Sequence, residues 1–188
     1  LPKPEIAGVH NALVVGGDAG TVACDAQARV QVKFFWDTSG NSDKTSGFIR
    51  VAEPFAGKGY GAQFIPRVGH EVLVSFLHGD PDAPVIIGQI YNEKNKPPFA
   101  TANSTKSGIR SQLKGEANEL EFDDKDGAEV VALRAAKDFE LIVNQNAVEK
   151  ITKLQTIWVG ETSKVTIDND QVVEVAKTAK FKADERKA

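Results

Sequence analysis

Between Leu141 and Ala183 the apolar residues fall in pairs two apart, on a spacing of eight: Leu141/Val143, Ile157/Val159, Val165/Ile167, Val173/Val175 and Phe181/Ala183. Glu149/Ile151 fills the remaining place in the series, so eleven of the twelve positions are apolar against 41% for the whole chain. The intervening residues are mostly polar, as in Gly160–Lys164 (GETSK). An α-helix fits this poorly, because residues two apart lie about 200° apart around it and an eight-residue step drifts by roughly 80°. On an extended chain, residues two apart share a face. Short β-segments with one inward pair each, joined by polar corners, satisfy the pattern. Such a ribbon cannot bury its apolar face alone and needs stacked neighbours. Further copies of the same chain are the economical source of them, giving a rod with its pairs pointing at a common axis. From Val172 onward the spacing Val172, Val175, Ala176, Ala179 also allows a helix.

The first half reads differently. Ile6–Val15, Ala28–Phe35, Phe48–Ala52, Glu71–Leu77 and Pro84–Ile90 are expected strands; the second alternates Val30, Val32 and Phe34 against Arg29, Gln31 and Lys33. Glycine-rich corners separate them, among them Gly57-Lys-Gly-Tyr-Gly61. Five short strands in about 90 residues predict a small barrel of OB type. Pro97-Pro98 closes this domain, Thr101–Ser111 reads as a polar connector, and β pattern returns at Glu119–Phe122 and Val130–Leu133. The domains expected are therefore 1–99, linker and barrel; 100–130, connector; and 131–188, stalk.

Charge narrows the function. Residues 1–99 carry nine Lys/Arg against ten Asp/Glu, and residues 100–188 carry 14 against 16. Neither half is basic, which argues against a partner such as nucleic acid. The single Cys24 forms no internal disulfide, as suits a reducing compartment. No run is long and apolar enough for a membrane span, and no secretory signal pattern opens the sequence. Leu1–Glu5 (LPKPE) reads as a linker after a domain that is not included.

Candidate chemistry is sparse. His10, His70 and His78 are the only histidines and none has metal-ligand spacing, so solvated strand ends are the expectation. Ser75, His78 and Asp80 are neighbours in sequence, which is no evidence for a triad. The acidic run Glu119, Glu121, Asp123, Asp124, Asp126 lacks calcium-loop spacing and reads as solvated connector. Phe34, Phe35, Trp36, Phe48 and Tyr60 could form a stacking platform for single-stranded nucleic acid or sugar, although alternation turns Phe34 inward. No catalytic residue and no cofactor are assigned.

Several stretches together resemble the OB module of the valine–glycine-repeat spikes of type VI secretion: Arg29–Trp36 (RVQVKFFW), Ile49–Tyr60 (IRVAEPFAGKGY), Phe64–Val85 (FIPRVGHEVLVSFLHGDPDAPV), Gly88–Tyr91 and Asn92–Phe99 (NEKNKPPF). Thr105–Gly108 (TKSG), Asn118–Gly127 (NELEFDDKDG) and Ala135–Asp138 (AAKD) are similar to that family's connector and the start of its stalk. The resemblance covers about residues 5–145, and related spikes occur in contractile phage tails. It implies an all-β homotrimer: a five-stranded OB-fold barrel followed by an intertwined trimeric β-helix or β-prism. Leu141, Val143, Ile151, Ile157, Val159, Val165, Ile167, Val173, Val175 and Phe181 would then line the trimer axis. It further implies docking on a tube protein through a hub domain, a PAAR-repeat protein at the tip, effectors as cargo, and transient passage through a target membrane. The spike would be assembled in the cytoplasm and then injected. Some phage spikes close their tips with an HxH iron site; no histidine follows His78, so no metal is expected. The implied function is mechanical, with a phage or phage-derived tail spike as the alternative.

Overall fold

The computed structural model describes residues 2–39, 45–99, 102 and 104–180, and it divides into two compact units, Leu1–Glu140 and Leu141–Ala188. Among the described residues the first unit holds eight strands: β1 (Val9–Val15), β2 (Gln31–Phe34), β3 (Arg50–Val51), β4 (Glu71–Phe76), β5 (Pro84–Ile90), β6 (Lys106–Ser111), β7 (Asn118–Asp123) and β8 (Val130–Arg134). The five strands of the barrel fall inside the segments that alternation selects, with trimmed ends.

These five form one curled sheet in the order β2-β1-β4-β5-β3, antiparallel except for the parallel β3–β5 pair. Its two ends meet where Val30 and Ile49 exchange backbone hydrogen bonds of 3.1 and 2.8 Å. A register shift after Leu73 leaves Ile87 outside the β4–β5 pairing; such a bulge bends and twists its strand, which helps the sheet curl. The concave face is β-branched, as a pleated surface favours. Val14, Val30, Val32, Val72, Val74 and Ile86 are wholly buried there, with Ala12, Ile49 and Phe76. Each buried Val or Ile contributes about 1.5–3 kcal/mol over its exposed state, so the barrel has its own core.

One end of that core is closed by rings. Phe34 stacks on Phe76 at 5.9 Å and on Trp36 at 4.9 Å, and His10 meets Phe76 edge-on at 5.8 Å. Phe34 faces the core as its alternation requires. Gly57-Lys-Gly-Tyr-Gly61 is a tight turn: Gly57 donates its N–H to Tyr60 O, and the Tyr60 ring covers Gly57 so closely that a Cβ there would lie 2.4 Å from it. The segment before β1 is held at the turn between β4 and β5, where Lys3 pairs with Asp80 at 2.7 Å and Asp82 at 3.4 Å and Ile6 N–H bonds Gly79 O.

The remaining strands make an antiparallel three-stranded sheet, β6-β7-β8. β6 lies in the stretch read from sequence as a polar connector, where that reading expected no strand. Arg67 reaches from the barrel to Gln112 O, and Arg110 donates to Pro98 O at 3.2 Å with its guanidinium 5.6 Å from the Phe99 ring.

The second unit is an extended chain with paired bends. They fall at residues 144/145, 152/153, 160/161, 168/169 and 176/177, one pair per eight residues. No helix forms over residues 172–180, which removes that alternative there. Phe181 and Ala183 lie outside the described residues. Among the described residues of 141–180 there is neither a strand pairing nor a hydrogen bond between backbone groups.

Candidate assembly surface

Two surfaces concentrate the side chains that sequence alone leaves unexplained, and they differ in kind. The first is one face of the β6-β7-β8 sheet. Residues directly opposite in an antiparallel ladder share a face, so the register Lys106–Asp123, Gly108–Glu121, Arg110–Glu119 and Glu119–Arg134 gathers six charges on one side. Glu119 accepts from both Arg110 and Arg134, while Glu121 accepts from Lys106 at 2.8 Å and Arg134 at 3.4 Å. Thr105 donates its hydroxyl to Asp123 at 2.7 Å. The hydrogen bond from Arg110, with the charge of Arg134 nearby, holds the Glu119 carboxyl below the usual carboxylate range. The Thr105 hydroxyl does the same for Asp123.

Glu119 and Glu121 are buried at 5% and 6% exposure, which corrects the reading as solvated connector for these two residues, while Asp124 and Asp126 are exposed as that reading expects. The signal for it was alternation of basic residues in 106–110 against acidic residues in 119–123, with Arg134 completing the set. Gly108 makes the close pairing possible: its φ is +150°, and a Cβ would lie 2.1 Å from Leu120 O. Arg110, Gln112, Glu116, Glu119 and Arg134 border a shallow depression. Glu119 and Glu121, which line it, are each engaged by cations of the same sheet, so the arrangement does the work of a clamp.

The other candidates for chemistry are likewise engaged or apart. Asp80, the acid of the Ser75/His78/Asp80 set, is held by Lys3 and caps the N–H of Asp82 at 2.9 Å. His78 sits in a left-handed turn at φ 55°. His10 and His70 bond Ala7 O and Gln89 Oε1, each at 3.1 Å. Among the described residues no group of three or more metal-ligating side chains converges, and no helix is long and apolar enough to cross a membrane.

The second surface is the ribbon 141–180. Its described axis candidates are all exposed in the single chain, but not equally. Val143, Ile151, Val159, Ile167 and Val175, the second members of their pairs, are between 44% and 51% exposed; Leu141, Ile157, Val165 and Val173, the first members, are between 69% and 75%. Each second member directly precedes a bend. Successive repeats are thus geometrically equivalent as well as similar in sequence. Glu149 does not interrupt them: Ile151 keeps its partial cover, the bends keep their spacing, and Glu149 Oε1 accepts from Gln155 Nε2 at 3.0 Å. The outward Trp158 ring lies over Gly160, 3.4 Å from where a Cβ would stand.

A curled five-stranded sheet closed by the Val30–Ile49 bridge, followed in sequence by a regular octad ribbon that exposes its apolar stripe, has the build of an injector domain with an assembly segment. Residues 18–91 match the type VI secretion system/phage-baseplate injector OB domain, and residues 100–188 match the bacteriophage T4 gp5 C-terminal trimerisation domain. The chain belongs to the VgrG family of spike proteins. It is 37% identical to the actin cross-linking toxin VgrG1 of Vibrio cholerae over 98% of its own length and 18% of the relative's. To the type VI secretion system spike protein VgrG3 of Vibrio cholerae it is 42% identical, over 84% of this chain and 16% of the relative. To the spike protein VgrG5 of Pseudomonas aeruginosa it is 38% identical, over 92% and 22%. The chain therefore spans less than a quarter of the length of these relatives.

Proposed function

We propose that this chain is the neck and stalk of a homotrimeric puncturing spike of a contractile injection machine, serving type VI secretion. The observation that carries this reading is the equivalence of the eight-residue repeats: bends and graded exposure recur in step with the apolar pairs. A ribbon so built leaves a stripe of Leu, Ile and Val and a whole run of backbone donors and acceptors uncovered. Two further copies cover both at once, with Leu141, Val143, Ile151, Ile157, Val159, Val165, Ile167, Val173 and Val175 on the axis and Phe181 continuing the series. The match to a trimerisation domain over 100–188 supports the copy number. The barrel at 1–99 forms the neck, 100–130 the connector and 131–188 the β-prism.

The work is mechanical. Axial force passes from a tube protein, through a hub domain, into the trimer and to a PAAR-repeat tip protein, and effectors travel with the spike out of the cytoplasm into the target cell. The stalk needs stiffness, which interchain ladders provide, and it needs no catalysis. The cross-linking activity in the name of one relative belongs to that protein, of which this chain covers 18%. A phage-derived tail spike is the second reading, favoured by the match to the phage trimerisation domain. Absolute mass by light scattering, with an unboiled denaturing gel beside it, tests the assembly. One copy weighs 20.3 kDa, so the trimer weighs about 61 kDa; a species of one copy across the accessible concentration range overturns the proposal.

A further inference from the structure

The chain enters the barrel through the segment ahead of Val9, and this segment is fastened at more points than a linker needs. β1 and β4 pair from Val9–Ser75 to Leu13–Glu71. The ladder breaks at Gly8, whose φ of +80° is a conformation that glycine adopts without strain. Beyond the break it resumes one residue out of register, where the Ile6 N–H donates to Gly79 O at 2.9 Å. The Ile6 side chain packs against the core of the barrel. Ala7 O is bonded by His10 Nε2 at 3.1 Å, and the His10 ring meets Phe76 edge-on. Lys3 Nζ completes the set, 2.7 Å from Asp80 and 3.4 Å from Asp82.

The turn that receives this segment is braced by its own bonds. Leu77 N–H donates to Ala83 O, Asp80 N–H to Leu77 O and Ala83 N–H to Asp80 O, each at 3.0 Å. Asp80 also caps the Asp82 N–H at 2.9 Å, so its carboxylate is oriented from within the turn. We propose that residues 3–7 and the β4–β5 turn form a latch, held by charge at Lys3 and by hydrocarbon at Ile6. It fixes the direction in which the chain enters β1, and it opens locally while the barrel stays folded. Local opening follows from the break at Gly8, which separates the segment from the continuous ladder, and from the small contribution of an exposed ion pair. In a spike driven through the preceding segment, the closed latch passes load into β1 and β4, two neighbouring interior strands. A free segment would instead fold under that load or peel β1 from its end. This use of the latch rests on the proposed function; the latch itself lies within the first unit and needs no second copy.

Hydrogen exchange of the purified full-length chain, read at single-residue resolution, tests the latch. The Ile6 amide is expected to exchange about tenfold or more slowly than in a free peptide of the same sequence. Lys3→Glu sets a third acid against Asp80 and Asp82, and should speed the Ile6 amide about tenfold. Lys3→Ala should speed it about threefold, and Lys3→Arg should keep the wild-type rate. The amides of Val72 and Val74 in β4 should keep their rates in all three variants, because only the latch opens. Free-peptide exchange of Ile6 in the wild type overturns the proposal, as does an unchanged rate in Lys3→Glu. Equal acceleration at Val72 and Val74 also overturns it, since the segment would then open only with the barrel. The exchange is read whether one copy or three are present, so failure of the latch is distinct from failure of the mass measurement.

Discussion

Replacing one axial pair by Val165→Asp with Ile167→Asp should convert the assembly to single chains. The size of the effect follows from the exposure of the lone chain. Full burial of such a side chain is worth about 1.5–3 kcal/mol. Val165 has 72% of its surface left to bury and Ile167 has 44%. The pair therefore contributes roughly 2–3.5 kcal/mol per chain, or about 5–10 kcal/mol over three chains, by the same area argument. Taking that away weakens association by about four to seven orders of magnitude at 1.4 kcal/mol per tenfold. Six carboxylates brought towards one axis add a desolvation cost of several kcal/mol per ion. No practical protein concentration restores the loss. Light scattering should then report 20.3 kDa. Thr166→Asp is the control, since it stands between the two and on the other face of an extended chain; it should leave the mass unchanged. A double variant that keeps the wild-type mass, or a Thr166→Asp variant that dissociates as readily, would refute the axial assignment.

The barrel, the ion-pair face and the odd octad each carry a prediction of their own. Ile86→Ala, at a wholly buried site, should lower barrel stability by about 2–5 kcal/mol in denaturant titration; a loss within error would mean that this position is not in the core. Glu119, Asp123, Glu71, Asp25 and Asp80 all have lowered folded pKa values against ordinary values of 4.5 for Glu and 3.8 for Asp. Their stabilisation is complete above those values and is lost as pH falls through the lower folded ones. Glu119→Gln should therefore melt below wild type at pH 7, with the gap narrowing towards pH 3.5 in calorimetry; a gap independent of pH contradicts the ion-pair account. Glu149→Ile, which supplies the apolar residue missing from the series, should raise the melting temperature of the assembled stalk; a fall would show that the register is misplaced there.

What the sequence makes legible here is whatever is local and periodic. β4 is found because Val72, Val74 and Phe76 alternate with Glu71, Leu73 and Ser75, and all three are buried. The corners of the ribbon are found because each is set by its own eight residues. β6 escapes because Lys106, Ser107, Arg110 and Ser111 give no hydrophobic alternation, and its pairing depends on complementary charge in another strand. Glu119 looks solvated for the same reason: its burial is created by Arg110 and by Arg134, fifteen residues downstream. The apolar face of that sheet was hidden in turn, since Leu120 and Phe122 are scattered among acids and only the register shows that they stand with Val131 and Leu133.

The unbroken spacing of bends through Glu149 has a consequence for how such a shaft can vary. When each unit contacts only its neighbours, stability is close to a sum over units, and one unit can be spliced in or out without redesign of the rest. Eight residues inserted at a corner, for example after Glu161, keep every later side chain on its own face. Five residues would turn all of them outward, because an odd shift exchanges the two faces of an extended chain. The length of the proposed shaft would thus be adjustable in fixed increments, its reach set by copy number of a short word in the gene.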